Sequence, residues 1–340
     1  MGSPRQFHQI FAVEPAAADG VSFARYMELA LYHPEVGYYA TTRPRIGRDR
    51  SADFYTATSL GSVFGELVAA AAVELIKPAT PGQFIFVEVG AERMGTGAEQ
   101  SARGILDEVA HPFHAVRKIA LGESLQTGFV ADGPAIVFSN ELFDAQPCHR
   151  LVWRAGNWRE MGVALREGIL VDVELPELSP PIAAIRRELP PTSVEGYRLD
   201  LPLASRTLLR QLVAAPWPGL FLAFDYGKPW ESLSTETPQG TVRAYFRHQQ
   251  SAAVLDRPGE QDLTCHICWD WLAADLESCG FAKPVVESQE AFFARRAAGP
   301  LAAMLTADAS RLTARKQAIM QLLHPANMGH KFQVISALRK

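Results

Sequence analysis

Residues 134–147 read P-A-I-V-F-S-N-E-L-F-D-A-Q-P. The apolar, partly β-branched run at 135–138 is typical of a strand that is buried on both faces of a parallel sheet. It ends abruptly in Ser139, Asn140 and Glu141. Because open α/β sheets bind ligands outside the carboxyl ends of their strands, these polar residues are placed for chemistry. The stretch therefore predicts an α/β fold with a site at the end of this strand.

The spacing of Glu141 and Asp144 fits two roles. On one helical turn the two carboxylates would lie on the same face and could hold a cation or a polarised proton. Alternatively, Asn140 could cap a helix whose first turn favours acids because of the helix macrodipole. The spacing alone leaves both roles open.

Composition excludes several classes of protein. The 340 residues are 48% hydrophobic and 21% charged, with a formal net charge of −4. This is typical of a soluble globular chain that forms one domain with a large insertion, or two domains. No apolar run approaches the roughly 20 residues of a membrane span, and the N-terminus does not resemble a secretory signal. The slight acidity disfavours nucleic acid as a partner.

The cysteines favour a reducing compartment. Cys265 and Cys268 form a C-x-x-C, but there is no second pair of ligands, and zinc usually needs four. We therefore expect Cys148, Cys265, Cys268 and Cys279 to be free thiols, no metal site, and a cytoplasmic location.

A second buried strand is predicted at residues 83–89, directly before Gly90. The following loop, G-A-E-R-M-G-T-G, only partly matches a nucleotide-binding loop, because Glu92 occupies the place of the second glycine. We expect a helix at 98–109 and a strand at 116–121. Glu123, just after that strand, is a candidate for holding a ribose, since an acid commonly does so at this position.

Polar residues also precede the predicted amphipathic helix at 60–76. Asp53 and Thr56 could cap this helix, or they could supply polar groups to a ligand pocket beneath it. Another helix is expected at 23–32, where the apolar residues have helical spacing.

The pattern changes after Pro147. Residues 150–153, 158–165 and 169–173 are predicted as short strands separated by turns, which is foreign to a βαβ pattern. We expect an inserted antiparallel flap at about 148–200, outside the main core.

The sheet resumes at 219–224, and this strand ends in Asp225. His266 lies near a turn that opens a helix, which makes it a weaker candidate for catalysis. A further strand is expected at 241–247, and an edge strand close to the C-terminus.

Together these stretches resemble the MidA-type S-adenosylmethionine-dependent methyltransferases, whose mitochondrial member is a complex I assembly factor that methylates an arginine of a partner subunit. The matching segments are F-A-R-Y-M-E-L-A-L-Y-H-P-E-V-G-Y-Y (23–39), A-D-F-Y-T-A (52–57), V-F-G-E (63–66), S-N-E-L-F-D-A-Q-P (139–147), F-D-Y-G (224–227), P-G-E-Q-D-L-T-C-H (258–266) and P-A-N-M-G-H-K-F (325–332).

The resemblance implies a doubly wound, class I methyltransferase-like (Rossmann-like) sheet at 83–340, with an inserted antiparallel hairpin and helical elaborations at both ends. Residues 1–82 would form a helical segment and a loop that covers the cofactor. The implied cofactor is S-adenosylmethionine, and the implied partner is a protein substrate such as a respiratory-complex or other assembly partner. The oligomeric state would be monomer or homodimer.

The resemblance also implies roles for single residues. The donor would be held by the set Glu88, Gly90, Glu123 and Asn140, with Asp53 and Thr56 closing from above. Glu141 and Asp144 would steer a guanidinium acceptor, and Asp225 or His266 would accept its proton.

The chain departs from the family pattern where the donor should bind. The family loop resembles G-x-G-x-G-T-L, whereas Glu92 here would repel the donor's carboxylate by roughly 1 to 4 kcal/mol. The alternative function is accordingly a catalytically weak or inactive assembly scaffold. A nicotinamide-dependent dehydrogenase shares the predicted βαβ start, but it does not explain S-N-E-L-F-D or M-G-H-K-F.

Overall fold

The computed structural model describes residues 4–40, 60–94, 101–120, 133–192, 194–247, 249–307 and 311–340. Its helices, in chain order, are α1 (Pro4–Ala12), α2 (Phe23–Tyr32), α3 (Ser62–Leu75), α4 (Pro180–Ala184), α5 (Leu203–Val213), α6 (Trp230–Thr235), α7 (Trp269–Ser278), α8 (Gln289–Arg296), α9 (Ala298–Ala307) and α10 (Ala314–Leu323).

The strands, also in chain order, are β1 (Val21–Ser22), β2 (Ile85–Met94), β3 (Ser101–Arg103), β4 (Ala115–Ala120), β5 (Ala135–Asn140), β6 (His149–Arg154), β7 (Asn157–Arg166), β8 (Ile169–Glu174), β9 (Arg198–Leu201), β10 (Gly219–Asp225), β11 (Gly227–Lys228), β12 (Arg243–Phe246), β13 (Gln249–Ser251), β14 (Asp262–Thr264), β15 (Ile267–Cys268), β16 (Val285–Ser288) and β17 (Gln333–Arg339).

The chain forms two compact units built from interleaved segments. The first unit comprises Met1–Phe54, Phe143–Thr207 and Lys228–Asp270, and the second comprises Tyr55–Leu142, Leu208–Gly227 and Trp271–Lys340. The predicted division at residue 82 does not coincide with either unit. Local patterns cannot reveal such interleaving, because each unit joins segments that lie far apart in sequence.

The second unit is built on a mainly parallel sheet. Its strands lie in the order β16-β17-β10-β5-β2, with β4 on the other side of β2 and β3 pairing with the end of β2. Strands β4, β2, β5 and β10 are parallel, whereas β17 and β16 are antiparallel to their neighbours. All four parallel strands fall where the apolar runs predicted them.

The C-terminal strand is not an edge strand, contrary to prediction. β17 lies between β10 and β16, and its residues Val334, Ile335 and Ala337 are buried. The short strand β16 takes the edge instead. A sequence pattern marks β17 as a strand, but only the pairing of distant segments decides its place in the sheet.

Aromatic side chains fill the core of the second unit. Phe64 of α3 contacts Phe138, Phe224 and Phe293, with ring centroids 5.4–6.3 Å apart. Burying each ring stabilises the unit by about 1.5–3 kcal/mol. Gly65 permits close approach at this helix, since a Cβ there would lie 2.1 Å from the carbonyl oxygen of Ile105.

The predicted helix at 98–109 is wrong over its described part. Residues 101–103 form β3, which pairs antiparallel with the end of β2, and residues 105–109 form turns. The backbone N–H of Gly104 donates to Asp107 Oδ2 (3.0 Å), which is a turn rather than helical geometry. Strand pairing with β2 thus overrides the local helical pattern.

The first unit has its own antiparallel sheet and core. Its strands lie in the order β1-β7-β6-β9, with β8 on the other side of β7. Helix α2 lies against β6 and β7, and α1 lies against β7. A smaller sheet places β12 between β13 and β14.

The antiparallel strands predicted for the flap form, and they belong to the sheet of the first unit. β6, β7 and β8 are antiparallel, as expected. They are not peripheral, because Leu151 and Val163 are fully buried. Val163 belongs to a core with Phe7, Phe23 and Tyr26 from the N-terminal helices. The N-terminal helices thus cover this sheet within the first unit.

Among the described residues, no helix combines the length and the apolar character that crossing a membrane requires. All four cysteines are free thiols; Cys148, Cys265 and Cys268 are buried, and Cys279 is half-buried.

Candidate functional site

Five of the predicted site residues lie at one edge of the second unit's sheet. Val89 of β2 pairs with Ser139 of β5, and Ser139 pairs with Ala223 of β10. Since these strands are parallel and in register, their carboxyl ends meet at this edge. The residues gathered there are Glu88, Gly90, Asn140, Glu141 and Asp225.

Gly90 provides a backbone conformation that other residues rarely adopt. Its φ is +85°, and the pairing of β2 with β4 shifts register at this point. A Cβ at Gly90 would lie 3.1 Å from Leu142 Cδ1. The glycine therefore leaves room at the edge that a side chain would fill.

Asn140 presents a buried acceptor atom to the same edge. Its Nδ2 donates to Glu141 Oε1 (3.0 Å), whereas its Oδ1 is buried with no hydrogen-bond partner among the described residues. The hydroxyl of Ser139 is also buried without a described partner. Buried polar atoms are nearly always paired, so two such atoms at one strand end fit a site that binds a polar ligand.

Neither helical role predicted for residues 140–144 is observed. Residues 141–148 form bends and turns, and Glu141 has a φ of +50°. Asn140 is thus not a helix cap, and Glu141 and Asp144 do not share a helical face. The N–H of Glu141 instead donates to the carbonyl of Phe224 (2.9 Å), which extends the pairing of β5 with β10.

Glu88 is a buried carboxyl group close to this edge. It is 6% exposed, and its Oε2 accepts the backbone N–H of Ile105 (2.8 Å). Burial raises its pKa to about 7 and outweighs the hydrogen bond from Ile105, while Asp107 adds to the rise and Lys118 opposes it. Near neutral pH this group therefore changes between charged and neutral forms.

Asp225 is fully buried at the end of β10. Its Oδ1 accepts the backbone N–H of Tyr226 (2.8 Å), which fixes the carboxylate at the start of the following turn.

Glu92 lies in β2, its backbone paired with Arg103, and its side chain is half-buried. Asp53, Thr56 and Glu123 lie outside the described residues.

Asp144 belongs to the first unit, where it is 2% exposed and its carbonyl accepts the N–H of Cys265 (2.8 Å). A second buried acid, Asp262, accepts a hydrogen bond from the Tyr39 hydroxyl (3.0 Å). The Tyr39 ring stacks on that of Tyr32 at 5.4 Å.

The charges of Asp144 and Asp262 both affect the pKa of Tyr245. Burial raises the pKa of Tyr245, and the charges of Asp144 and Asp262 raise it further. We name Tyr32, Tyr39, Asp144, Tyr245 and Asp262 the tyrosine–aspartate cluster. Sequence reasoning assigned no role to Asp262 or to the tyrosines, although Tyr32, Tyr39 and Asp262 lie in segments that carry the family resemblance.

His266 also lies in the first unit. Burial lowers its pKa to about 4, and the positive charges of Lys228 and Arg243 lower it further. The imidazole is therefore neutral at neutral pH. Among the described residues, no group of three or more histidine, cysteine or acidic side chains is arranged to hold a metal ion.

The fold and this edge define a mixed α/β protein with a polar site at the carboxyl ends of parallel strands. A family described as putative S-adenosyl-L-methionine-dependent methyltransferases matches residues 119–286. The match supports an S-adenosylmethionine-dependent methyltransferase of the MidA type.

Two curated relatives match nearly the whole chain. The "Protein arginine methyltransferase NDUFAF7 homolog, mitochondrial" of Drosophila melanogaster is 26% identical over 367 residues, covering 93% of this chain and 81% of the relative. The "Protein arginine methyltransferase NDUFAF7, mitochondrial" of Danio rerio is 24% identical over 375 residues, covering 95% and 84%.

A solved structure has a similar fold. A COG1565 superfamily member and likely methyl transferase from Burkholderia thailandensis, bound to S-adenosyl-homocysteine, superposes with a TM-score of 0.81. The two chains are 24% identical, and the match covers 99% of this chain and 93% of the other. The likeness shows the fold.

Proposed function

We propose that this methyltransferase transfers the methyl group of S-adenosylmethionine to an arginine side chain of a partner protein. The names of the curated relatives support arginine as the acceptor. The observation that carries the proposal on this chain is the buried Asn140 Oδ1, which lacks a described partner at the edge where α/β sheets bind ligands.

We also assign the second unit's sheet to the doubly wound, class I methyltransferase-like type. The parallel order β4-β2-β5-β10 supports this assignment, as does the antiparallel β17 between β10 and β16.

On this proposal Gly90 and Asn140 hold the donor, assisted by Glu88. Gly90 leaves space for a ligand to approach the backbone, and Asn140 Oδ1 supplies an acceptor for one of its N–H or O–H groups. Asp53, Thr56 and Glu123 complete the set in our assignment. When bound, the donor supplies a methyl group on a sulfonium that is already a good leaving group.

The remaining work is to align and deprotonate the acceptor. A guanidinium is a cation, so carboxylates orient it and localise a lone pair on one nitrogen. We assign this role to Glu141 and to Asp144. Asp262, the other acid of the tyrosine–aspartate cluster, strengthens the negative field around Asp144. Asp225 is our proton acceptor. His266 is the alternative acceptor, because its ring is neutral at neutral pH.

Calorimetric titration of S-adenosylhomocysteine tests the donor site. The natural chain should bind, and Asn140→Leu should weaken binding by about tenfold, because it removes one acceptor whose loss is equivalent to about 1.4 kcal/mol. Asn157→Leu, at the exposed first residue of β7 in the first unit, is the control. Equal affinity of Asn140→Leu and the natural chain would remove Asn140 from the site.

One observation favours the second candidate function, an assembly scaffold with weak or no catalysis. β2 continues through Met94, so residues that would form the glycine-rich turn of the family are in a strand here. Glu92→Gly distinguishes the two functions. In a weakened donor site it should tighten S-adenosylhomocysteine binding by about tenfold. If neither form binds measurably, the scaffold function is favoured.

We further propose that the protein acts in the cytoplasm, as a monomer or homodimer, on a protein that can belong to a respiratory complex. The four free thiols support a reducing compartment.

A further inference from the structure

Three nitrogen-bearing side chains come together in the first unit. Arg243 in β12 is paired with Thr264 of β14, two residues before His266. The backbone N–H of His266 donates to Thr241 Oγ1 (3.3 Å). Lys228 ends β11, and that strand pairs with β15, which begins directly after His266. All three side chains are half-buried, so solvent and small ligands can reach them.

Neither cation is paired with an acid of the described residues. Within the described part of the chain, neither Lys228 nor Arg243 forms a salt bridge. Arg243 Nη1 donates to the carbonyls of Gly240 (3.2 Å) and Val242 (2.7 Å), which holds the guanidinium against this turn without neutralising it.

Asp200, the acid nearest this turn, is already engaged. Its Oδ1 accepts from Arg150 Nε (3.1 Å), and its Oδ2 accepts the backbone N–H groups of Thr241 (2.5 Å) and Val242 (2.9 Å). The Arg150–Asp200 pair is therefore internally compensated. It anchors the turn that carries Thr241, and Asp200 is therefore not available to pair with Lys228 or Arg243.

His266 adds a neutral donor or acceptor to these charges. Its Nδ1 is buried and has no hydrogen-bond partner among the residues whose positions are described. Because the ring is neutral at neutral pH, one nitrogen carries a proton that can be donated to an oxygen. A half-buried site with two cations and an imidazole N–H suits an oxygen-rich anion.

We propose that Lys228, Arg243 and His266 form a binding site for an oxyanion, either a carboxylate or a phosphate group. Arginine offers a planar fork of N–H donors to such a group, and lysine adds a compact charge. This site goes beyond the methyl transfer proposed above, because neither Lys228 nor Arg243 has a role in the assignment of donor and acceptor residues.

Inorganic phosphate is the first probe, titrated into the full chain by calorimetry. Lys228→Met should weaken phosphate binding by about tenfold, since loss of one charge-assisted hydrogen bond is equivalent to about 1.4 kcal/mol or more. Lys283→Met, which removes an exposed lysine of the second unit, should leave the affinity unchanged. Arg243→Lys keeps the positive charge and is the conservative comparison in case Arg243→Met does not fold. It should weaken phosphate binding less than Arg243→Met does.

Nuclear magnetic resonance of histidine labelled with ¹³C gives an independent readout. His266→Asn assigns the His266 signal. Bound phosphate should raise the pKa of His266, because a nearby negative charge favours the protonated ring.

A second arm identifies the source of the anion. Acetate and phosphate are each titrated into the natural chain and into Lys228→Met. If Lys228→Met weakens only the binding of acetate, the site takes a carboxylate. If it weakens only phosphate, the site takes a phosphate group. If no probe depends on Lys228 or Arg243, or if phosphate leaves the pKa of His266 unchanged, the proposal is overturned.

Discussion

Glu88 should make the stability of the second unit depend on pH. Its pKa in the folded chain is about 7, whereas an ordinary solvent-exposed glutamate has a pKa of 4.5, because burial disfavours the charged form. The folded state therefore binds this proton more tightly than the unfolded state. The stabilisation is fully present below pH 4.5 and is lost as pH rises to about 7. At 1.36 kcal/mol per pH unit, the interval corresponds to about 3 kcal/mol.

Glu88→Gln removes the titration while keeping an oxygen for the N–H of Ile105. The stability of this variant relative to the natural chain should increase by about 2 to 3 kcal/mol between pH 5 and pH 8. Urea unfolding monitored by hydrogen exchange in β2 and β5 measures the free energy of unfolding of this unit separately from that of the first unit. Glu108→Gln, at an exposed acid of the same unit, is the control. A stability difference that does not change with pH would show that Glu88 is not protonated more readily in the folded state.

Three further predictions follow from single residues. Glu141→Gln should leave S-adenosylhomocysteine affinity within about twofold and lower methyl transfer at least about a hundredfold, because Glu141 is proposed to act on the acceptor. Glu167→Gln, which also has a positive φ, is the control. A parallel loss of donor affinity in Glu141→Gln would contradict this role. His266→Asn should make the free energy of unfolding of the first unit less sensitive to acid. Because the pKa of His266 is lowered in the folded state, stability is lost as pH falls from 6.5 to about 4. Unfolding of the variant and of the natural chain at pH 5 and pH 7 measures this difference. Leu151→Ala should destabilise the first unit by about 2–5 kcal/mol by leaving a cavity, whereas hydrogen exchange in β5 should not change if the units unfold separately.

The parallel strands could be predicted because their signal is local. Residues 135–138 are apolar and end at once in polar residues, and the strand forms there as expected. Helix α2 has the predicted bounds for the same reason, since apolar residues at helical spacing need one buried face. The edge that gathers Gly90, Asn140 and Asp225 follows from parallel pairing of such strands.

Predictions failed where distant segments compete with the local pattern. The pairing of β3 with β2 replaces the expected helix at 101–109. Glu141 and Asp144 were expected on one helical turn, but the chain turns at Glu141 and leaves the second unit after Leu142. Three residues of separation in sequence therefore do not place these two acids on one helical face.

Local patterns were sufficient to predict the four parallel strands, helix α2, the family resemblance and a set of candidate site residues. Only the tertiary structure decided the partition into two interleaved units, the inner position of β17, and the pKa values of Glu88 and His266. The physical reason is that periodicity acts over a few residues, whereas burial and electrostatic fields depend on side chains brought together from distant parts of the chain. Lys228, Arg243 and His266 show this most clearly, because no pattern links them in the sequence and the pairing of short strands brings them together.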